Sequence, residues 1–195
     1  MPTSLPSPLP TVLVLASGKG ERFRASGGQV HKLQADLCGR SVLNRTLDTV
    51  RASGLPWHLE DAGHPGMGDS VAAAVRATRD AHGWLVLPAD LPLIAPESLV
   101  AVARWLAAGT ALAVLPRVAG QRAHPVGFAR SLGPELATLE GKEGARLVLS
   151  RLDAIKEVAG LALDDIGAIT DIDTVADLQR ATALLMQRRR ASPTA

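Results

Sequence analysis

Two sets of residues in this chain have the types and spacing to do chemistry. The first is cationic and glycine-rich: Gly18, Lys19 and Gly20, then Arg22 and, further on, Lys32, all following the apolar run TVLVLA at 11–16. Glycines free successive backbone N–H groups to wrap phosphate oxygens, and the basic side chains add positive charge. A tight strand-to-helix turn with solvated basic residues is the plainer alternative. Two familiar loops do not fit. The dinucleotide fingerprint needs a third glycine where Phe23 stands, and the P-loop needs Ser or Thr after Gly-Lys, where Gly20 stands. The second set is acidic. Asp90 ends the apolar run WLVLPAD between Pro88 and Pro92, and Asp171 and Asp173 flank Ile172. Carboxylate oxygens of this kind suit a hard ion such as magnesium, which keeps waters and needs few protein ligands. Asp90 is the first candidate ligand and Asp173 the second, with Asp171 as substitute. A strand over 171–173 would point those two to opposite faces, so one of them should reach the site.

These residues must be positioned by elements whose pattern alternates strand and helix. A strand is expected at 11–16 and a helix over 41–53, with Ser41 as its cap and Val42, Leu43, Leu47 and Val50 on one stripe. A short strand in PWHLED precedes an alanine-rich helix capped by Asp69 or Ser70. Further strands are expected in WLVLP, ALAVLP, HPVGFA and near 155–158, and a helix with Pro96 in its first turn lies among them. Short helices fit 133–139 and 143–152. Thr174 and Asp177 form a capping pair for a last helix that runs to about Arg190. The alternation predicts a three-layer α/β fold, α-β-α, with a mostly parallel, Rossmann-like sheet. Ligands of such sheets collect beyond the carboxyl ends of the strands, where Gly18, Asp90 and Asp173 should meet.

Composition narrows the classes. One domain over 11–190 is expected, with a disordered proline-rich stretch at 1–10 and a flexible tail at 191–195. No apolar run is long enough to span a bilayer and the first residues lack a signal-peptide pattern, so neither a membrane nor export is expected. The single cysteine, Cys38, excludes an internal disulfide, fits a cytoplasmic location and reads as a small buried residue. Net charge is +2, and the basic run at 187–190 complements the last helix's dipole. With no tyrosine and 3% aromatics there is little to stack bases, which argues against nucleic acid. His31, His58, His64 and His82 lack metal-ligand spacing, and the three tryptophans read as packing residues.

LASGKGERF at 15–23, followed by Lys32, resembles the signature loop of the MobA-like nucleotidyltransferases, which have a glycosyltransferase-A-like (nucleotide-diphospho-sugar transferase) fold. GMGDS at 66–70, LPADLPLI at 87–94, HPVGFA at 124–129, GKEGAR at 141–146 and DIDTVADL at 171–178 are similar, in order, to segments of the molybdenum cofactor cytidylyltransferase branch. The resemblance implies a magnesium-dependent transfer of a nucleoside monophosphate, CMP from CTP with GTP as the other nucleotide, to a phosphorylated acceptor such as molybdopterin. It implies that Leu15, Ala16, Ser17, Gly18, Lys19 and Gly20 face the nucleotide. Arg22 would hold the β- and γ-phosphates and Lys32 the α-phosphate, and Asp90 and Asp173 the metal. Gly66, Met67, Gly68, Asp69 and Ser70 would face base and ribose, with His124 near the acceptor. A molybdoenzyme or its chaperone would be the protein partner.

Two other readings stay open. The acceptor could be a sugar phosphate or methylerythritol phosphate and the nucleotide GTP, although LASG differs from the LAGG expected of guanylyl transfer. The chain could also bind nucleotide without turnover, since 55–65 has room for only one strand and a turn.

Overall fold

The computed structural model describes residues 8–191, so the expectations for 1–7 and 192–195 lie outside the described residues. β1 (Thr11–Leu15) lies centrally, paired in parallel with β2 (Trp57–Glu60) on one side and β3 (Gly83–Pro88) on the other. β6 (Val126–Ala129) then runs antiparallel between β3 and β4 (Ala113–Val118), and β7 (Val158–Ala162) runs parallel to β4 at the far edge. The two-residue β5 (Gln121–Arg122) extends the β4 hairpin through a turn at Ala119–Gly120. The sheet is mostly parallel, with β5 and β6 reversed. The reversal of HPVGFA was not readable from its residues, because both orientations would bury the same side chains.

Strand alternation divides the core. Val12 and Val14 face one helical layer, α2 (Val42–Ala52), α4 (Pro96–Ala107) and α7 (Val175–Ala191). Leu13 and Leu15 face α3 (Met67–Ala77), α5 (Gly133–Leu136) and α6 (Arg146–Ala154) on the other side. The remaining helix, α1 (Glu21–Ala25), follows the glycine loop. Period-two burial on β1 thus creates the two apolar interfaces of a three-layer α-β-α fold.

Local chemistry sets several boundaries as expected. Ser41 Oγ accepts from Asn44 N at 3.2 Å to start α2. Thr174 Oγ1 accepts from Asp177 N while Asp177 Oδ2 accepts from Thr174 N at 2.7 Å, a reciprocal box that opens α7. Burial works against the Asp177 carboxylate, but its bonds from Thr174 and Asp173 hold its pKa below the usual range.

Other expectations need correction. α3 begins at Met67 with Gly66 as its cap, so neither Asp69 nor Ser70 caps it, and Ser70 Oγ instead donates to Gly66 O at 3.1 Å. β7 starts at Val158, later than 155–158, because α6 runs on to Ala154 and its turn occupies Ile155 and Lys156. Residues 170–173 form no strand and follow a 3-10 turn, Ile166–Ile169. Leu9 packs against the core and Pro10 is buried, so the chain is anchored before residue 11. Cys38 is half-buried at φ +54° in a turn closed by Arg45, which donates to the carbonyls of Leu37 and Cys38. Arg188, Arg189 and Arg190 stand in the last turn of α7, where their charges complement its dipole as expected, and the Arg188 guanidinium also donates to Leu93 O at 2.6 Å and to Asp165 at 3.2 Å. Among the described residues no helix is long and apolar enough to cross a membrane.

Candidate functional site

At the carboxyl ends of β1 and β3 lies a cleft of about 790 Å³. Leu15, Ser17, Gly18, Lys19, Gly20, Arg22, Lys32, Asp90, Asp171 and Asp173 all line it. The glycine loop enters directly from β1. Among the described residues, the amide N–H groups of Ser17 through Gly20 donate to no protein acceptor, which leaves a run of donors open for an anion. Gly20 stands at φ +64°, a conformation that favours glycine, and a Cβ there would meet the His31 ring at 3.2 Å. That ring clasps the loop. His31 Nε2 lies 2.8 Å from Gly18 O while its Nδ1 accepts from Leu33 N. Nε2 therefore donates, and the same histidine starts the 3-10 turn Lys32–Gln34 that carries Lys32. The sequence offered no signal for this role, because it depends on a contact across the loop.

Lys32 is the hub of the charges. Its Nζ lies 2.5 Å from Asp90 Oδ2 and 3.0 Å from Asp173 Oδ1, and Asp173 Oδ2 in turn lies 2.8 Å from the Arg22 guanidinium. Burial pulls the Lys32 pKa down, but the Asp90 charge and the hydrogen bonds to both carboxylates outweigh it and hold the ammonium above the usual lysine range. The arrangement is an alternating chain of charges, Arg22, Asp173, Lys32, Asp90. Asp173 is fixed from behind, since Asp177 of the α7 cap accepts from its amide at 3.2 Å. Asp171 also lines the cleft, contrary to the one-face expectation, because no strand imposes alternation there. Burial, reinforced by Asp173 and Asp90, pushes its pKa up.

Among the described residues, three buried polar atoms at the cleft have no hydrogen-bond partner: Ser17 Oγ, Asp90 Oδ1 and His124 Nδ1. Burying such groups unpaired costs free energy, so their presence marks places that a ligand can satisfy. A bare carboxylate oxygen beside a second carboxylate suits a divalent cation, and the Lys32 ammonium already occupies the position of a cation between them. Among the described residues no group of three His, Cys, Asp or Glu closes on one point. A metal here would be completed by phosphate oxygens and water. His124 is neutral by environment, as burial depresses its pKa against the pull of Asp90.

Not every expected residue faces the cleft. Ala16 lies behind it, its amide donating to Glu60 O at 2.8 Å. Gly66, Met67 and Ser70 line it, but Gly68 and Asp69 turn to the loop 140–144. Gly68 N donates to Gly141 O at 2.8 Å, and Asp69 Oδ2 accepts from Gly141 N at 3.0 Å. The glycines of GMG are there for close approach of two backbones: a Cβ on Gly68 would lie 2.5 Å from Glu140 O. This brace delivers Lys142 to the cleft, which Arg122 from β5 also lines, two residues that no motif marked with a role, and His64, whose spacing suggested no ligand, lines it as well. Gly68→Ala should cost about 2 kcal/mol by overpacking and should raise hydrogen exchange across 138–146. Unchanged exchange there would show that the brace is not what orders the loop.

Comparison with known proteins adds to the geometry. Residues 49–156, more than half of the chain, match the model of the MobA-like NTP transferase domain. The bifunctional protein GlmU of Halorhodospira halophila is 32% identical over 159 residues, covering 68% of this chain and 31% of that protein. The chain spans about a third of the length of the curated relatives it matches. Among solved structures, molybdopterin-guanine dinucleotide biosynthesis protein A of Archaeoglobus fulgidus superposes with a TM-score of 0.66 at 20% identity, covering 91% of this chain and 99% of that one. Rv0371c of Mycobacterium tuberculosis, solved in complex with manganese, gives 0.68 at 22% identity over 89% and 97%. These two similarities establish a shared fold.

Proposed function

The chain belongs to the MobA-like NTP transferase family, a family of nucleotidyltransferases, and from that membership we propose that it transfers CMP from CTP to a phosphorylated acceptor, molybdopterin, with release of pyrophosphate. The carrying observation is the meeting of the open amides of Ser17–Gly20 with Lys32, Asp90 and Asp173 in one cleft. We further propose that residues 11–190 form one catalytic domain acting in the cytoplasm.

In this reaction an oxygen of the acceptor phosphate attacks the α-phosphorus, a P–O bond forms, and the bond to the departing pyrophosphate breaks. Two anions must approach, so the main tasks are neutralising charge and aligning the attack. The loop amides with Lys19 and Arg22 would receive the β- and γ-phosphates, and Lys32 the α-phosphate. Arg22 is suited to move, since its side chain is 75% exposed and tethered only by Asp173 among the described residues. Lys32 is held charged by its two carboxylates, so its proton stays on the nitrogen near neutral pH. A phosphate acceptor is already deprotonated there, and no general base is required. Magnesium would be held by Asp90 and Asp173 and would supply positive charge where the pyrophosphate leaves. His124 Nδ1 would take a donor of the acceptor. LASG in place of LAGG supports CTP over GTP.

Pure protein incubated with CTP, magnesium and molybdopterin should release pyrophosphate and yield the cytidylylated product by mass spectrometry. Release with GTP alone would redirect the reading to guanylyl transfer. Nucleotide binding without release, over a panel including sugar phosphates and methylerythritol phosphate, would leave a binding protein.

A further inference from the structure

We infer that His64 reads the nucleobase as a hydrogen-bond acceptor, with Glu60 as the positioning residue that makes it one, and that the pair selects cytosine over uracil. The inference rests on the nucleotide site proposed above. Sheet order gives the direction. The phosphate loop rises from β1 and Asp90 follows β3, while Arg122 and His124 line the cleft on the β5 and β6 side. An acceptor entering beside those two leaves the β2 side for the nucleoside. There the segment 61–66 joins β2 to α3, and His64 lines the cleft with Ser17 and Gly66.

Glu60 ends β2 as a buried carboxylate, 8% exposed. Its Oε1 accepts from Ala62 N at 3.3 Å and lies 3.0 Å from His64 Nε2, and its Oε2 lies 3.4 Å from His58 Nε2. Burial alone would raise its pKa, but the bonds from His64, Ala62 and His58 prevail and hold it below the usual range. An ionised carboxylate only accepts, so His64 Nε2 must carry the hydrogen. In the neutral ring Nδ1 is then a bare lone pair, and among the described residues the His64 ring has no second protein partner. Glu60 thereby spends a buried charge on fixing one tautomer of a cleft histidine. An acceptor at that point complements the exocyclic amino group of cytosine. Uracil places a carbonyl oxygen there, and two lone pairs would face each other.

The test is calorimetric binding of CTP and UTP, with magnesium at pH 8, to the whole chain and two variants. The parent should favour CTP by about tenfold or more, the worth of one hydrogen bond made against one lone pair left unpaired. His64→Ala should bring the ratio close to one. Glu60→Gln should do the same while the total affinity stays within a few-fold, because an amide can also donate to Nε2 and admit the other tautomer. A purely structural pin would weaken both nucleotides alike and preserve the ratio. A parent without CTP preference, or a ratio preserved in His64→Ala, overturns the inference and leaves the proposed function standing. Failure of the parent to bind any nucleoside triphosphate overturns both.

Discussion

Asp90→Asn should reduce nucleotidyl transfer by about 10³-fold, close to 4 kcal/mol of transition-state stabilisation, while leaving the melting temperature within a few degrees. Asparagine keeps the volume at the end of β3 and removes the charge. Lys32, which lies 2.5 Å from Asp90 Oδ2, would retain Asp173 at 3.0 Å and remain protonated. The cleft becomes more positive by one charge. CTP without metal should therefore bind as tightly as before or tighter, whereas the magnesium dependence of binding and turnover should vanish. That opposition separates a lost ligand from a damaged fold. Pyrophosphate release measured across a magnesium titration is the readout, and a variant within tenfold of the parent would remove Asp90 from the reaction.

The largest expected effect on stability comes from Asp165→Ala, away from the cleft. Asp165 is 6% exposed. Its Oδ2 accepts from Ala95 N and from Ser98 Oγ, both at 2.8 Å, and its Oδ1 accepts from Gly167 N at 3.0 Å and Arg188 at 3.2 Å. α4 has no side-chain cap of its own at Ala95, so a carboxylate seventy positions away in the chain completes its first turn. Removing it strands several buried donors and a guanidinium, at a cost of about 3–5 kcal/mol, or roughly 10 °C in a chain of this length. The segment it anchors continues to Asp173, and Ile172 N donates to Asp90 O at 3.0 Å, so transfer should fall as well. Thermal melting monitored by circular dichroism tests this. A shift under about 2 °C would mean that water or Ser98 replaces the carboxylate.

Both variants act on pairings far apart in the chain, and there the amino-acid pattern was least informative. Nothing in the pattern singled out Asp165, and Arg188 stood out only as a cation at a helix end, because each partner lies on another element. The same holds for His31, whose ring locks the glycine loop, and for Gly68, whose missing side chain admits a backbone from residue 140. The resemblance placed Gly68 against base and ribose, whereas the backbone at Glu140 fills the space beside it. A strand over 171–173 would have turned one aspartate away from the site, yet no strand forms there, Ile172 alone of the three is buried, and both flanking aspartates line the cleft.

What the chain determined by itself is what contacts within a few residues can enforce. The apolar runs of β1 and β3, the Ser41 cap, the Thr174–Asp177 box and the glycine loop are set by short-range sterics and hydrogen bonds, and the alternation of elements follows from them. The meeting of Gly18, Asp90 and Asp173 followed from the expected sheet, but tertiary structure decided which charges pair. Lys32 reaches Asp90 across 58 positions and Asp173 across 141, and β6 reverses between two parallel strands. Coulombic and packing energies depend on distance in space, and a linear pattern carries that distance only after the sheet has closed.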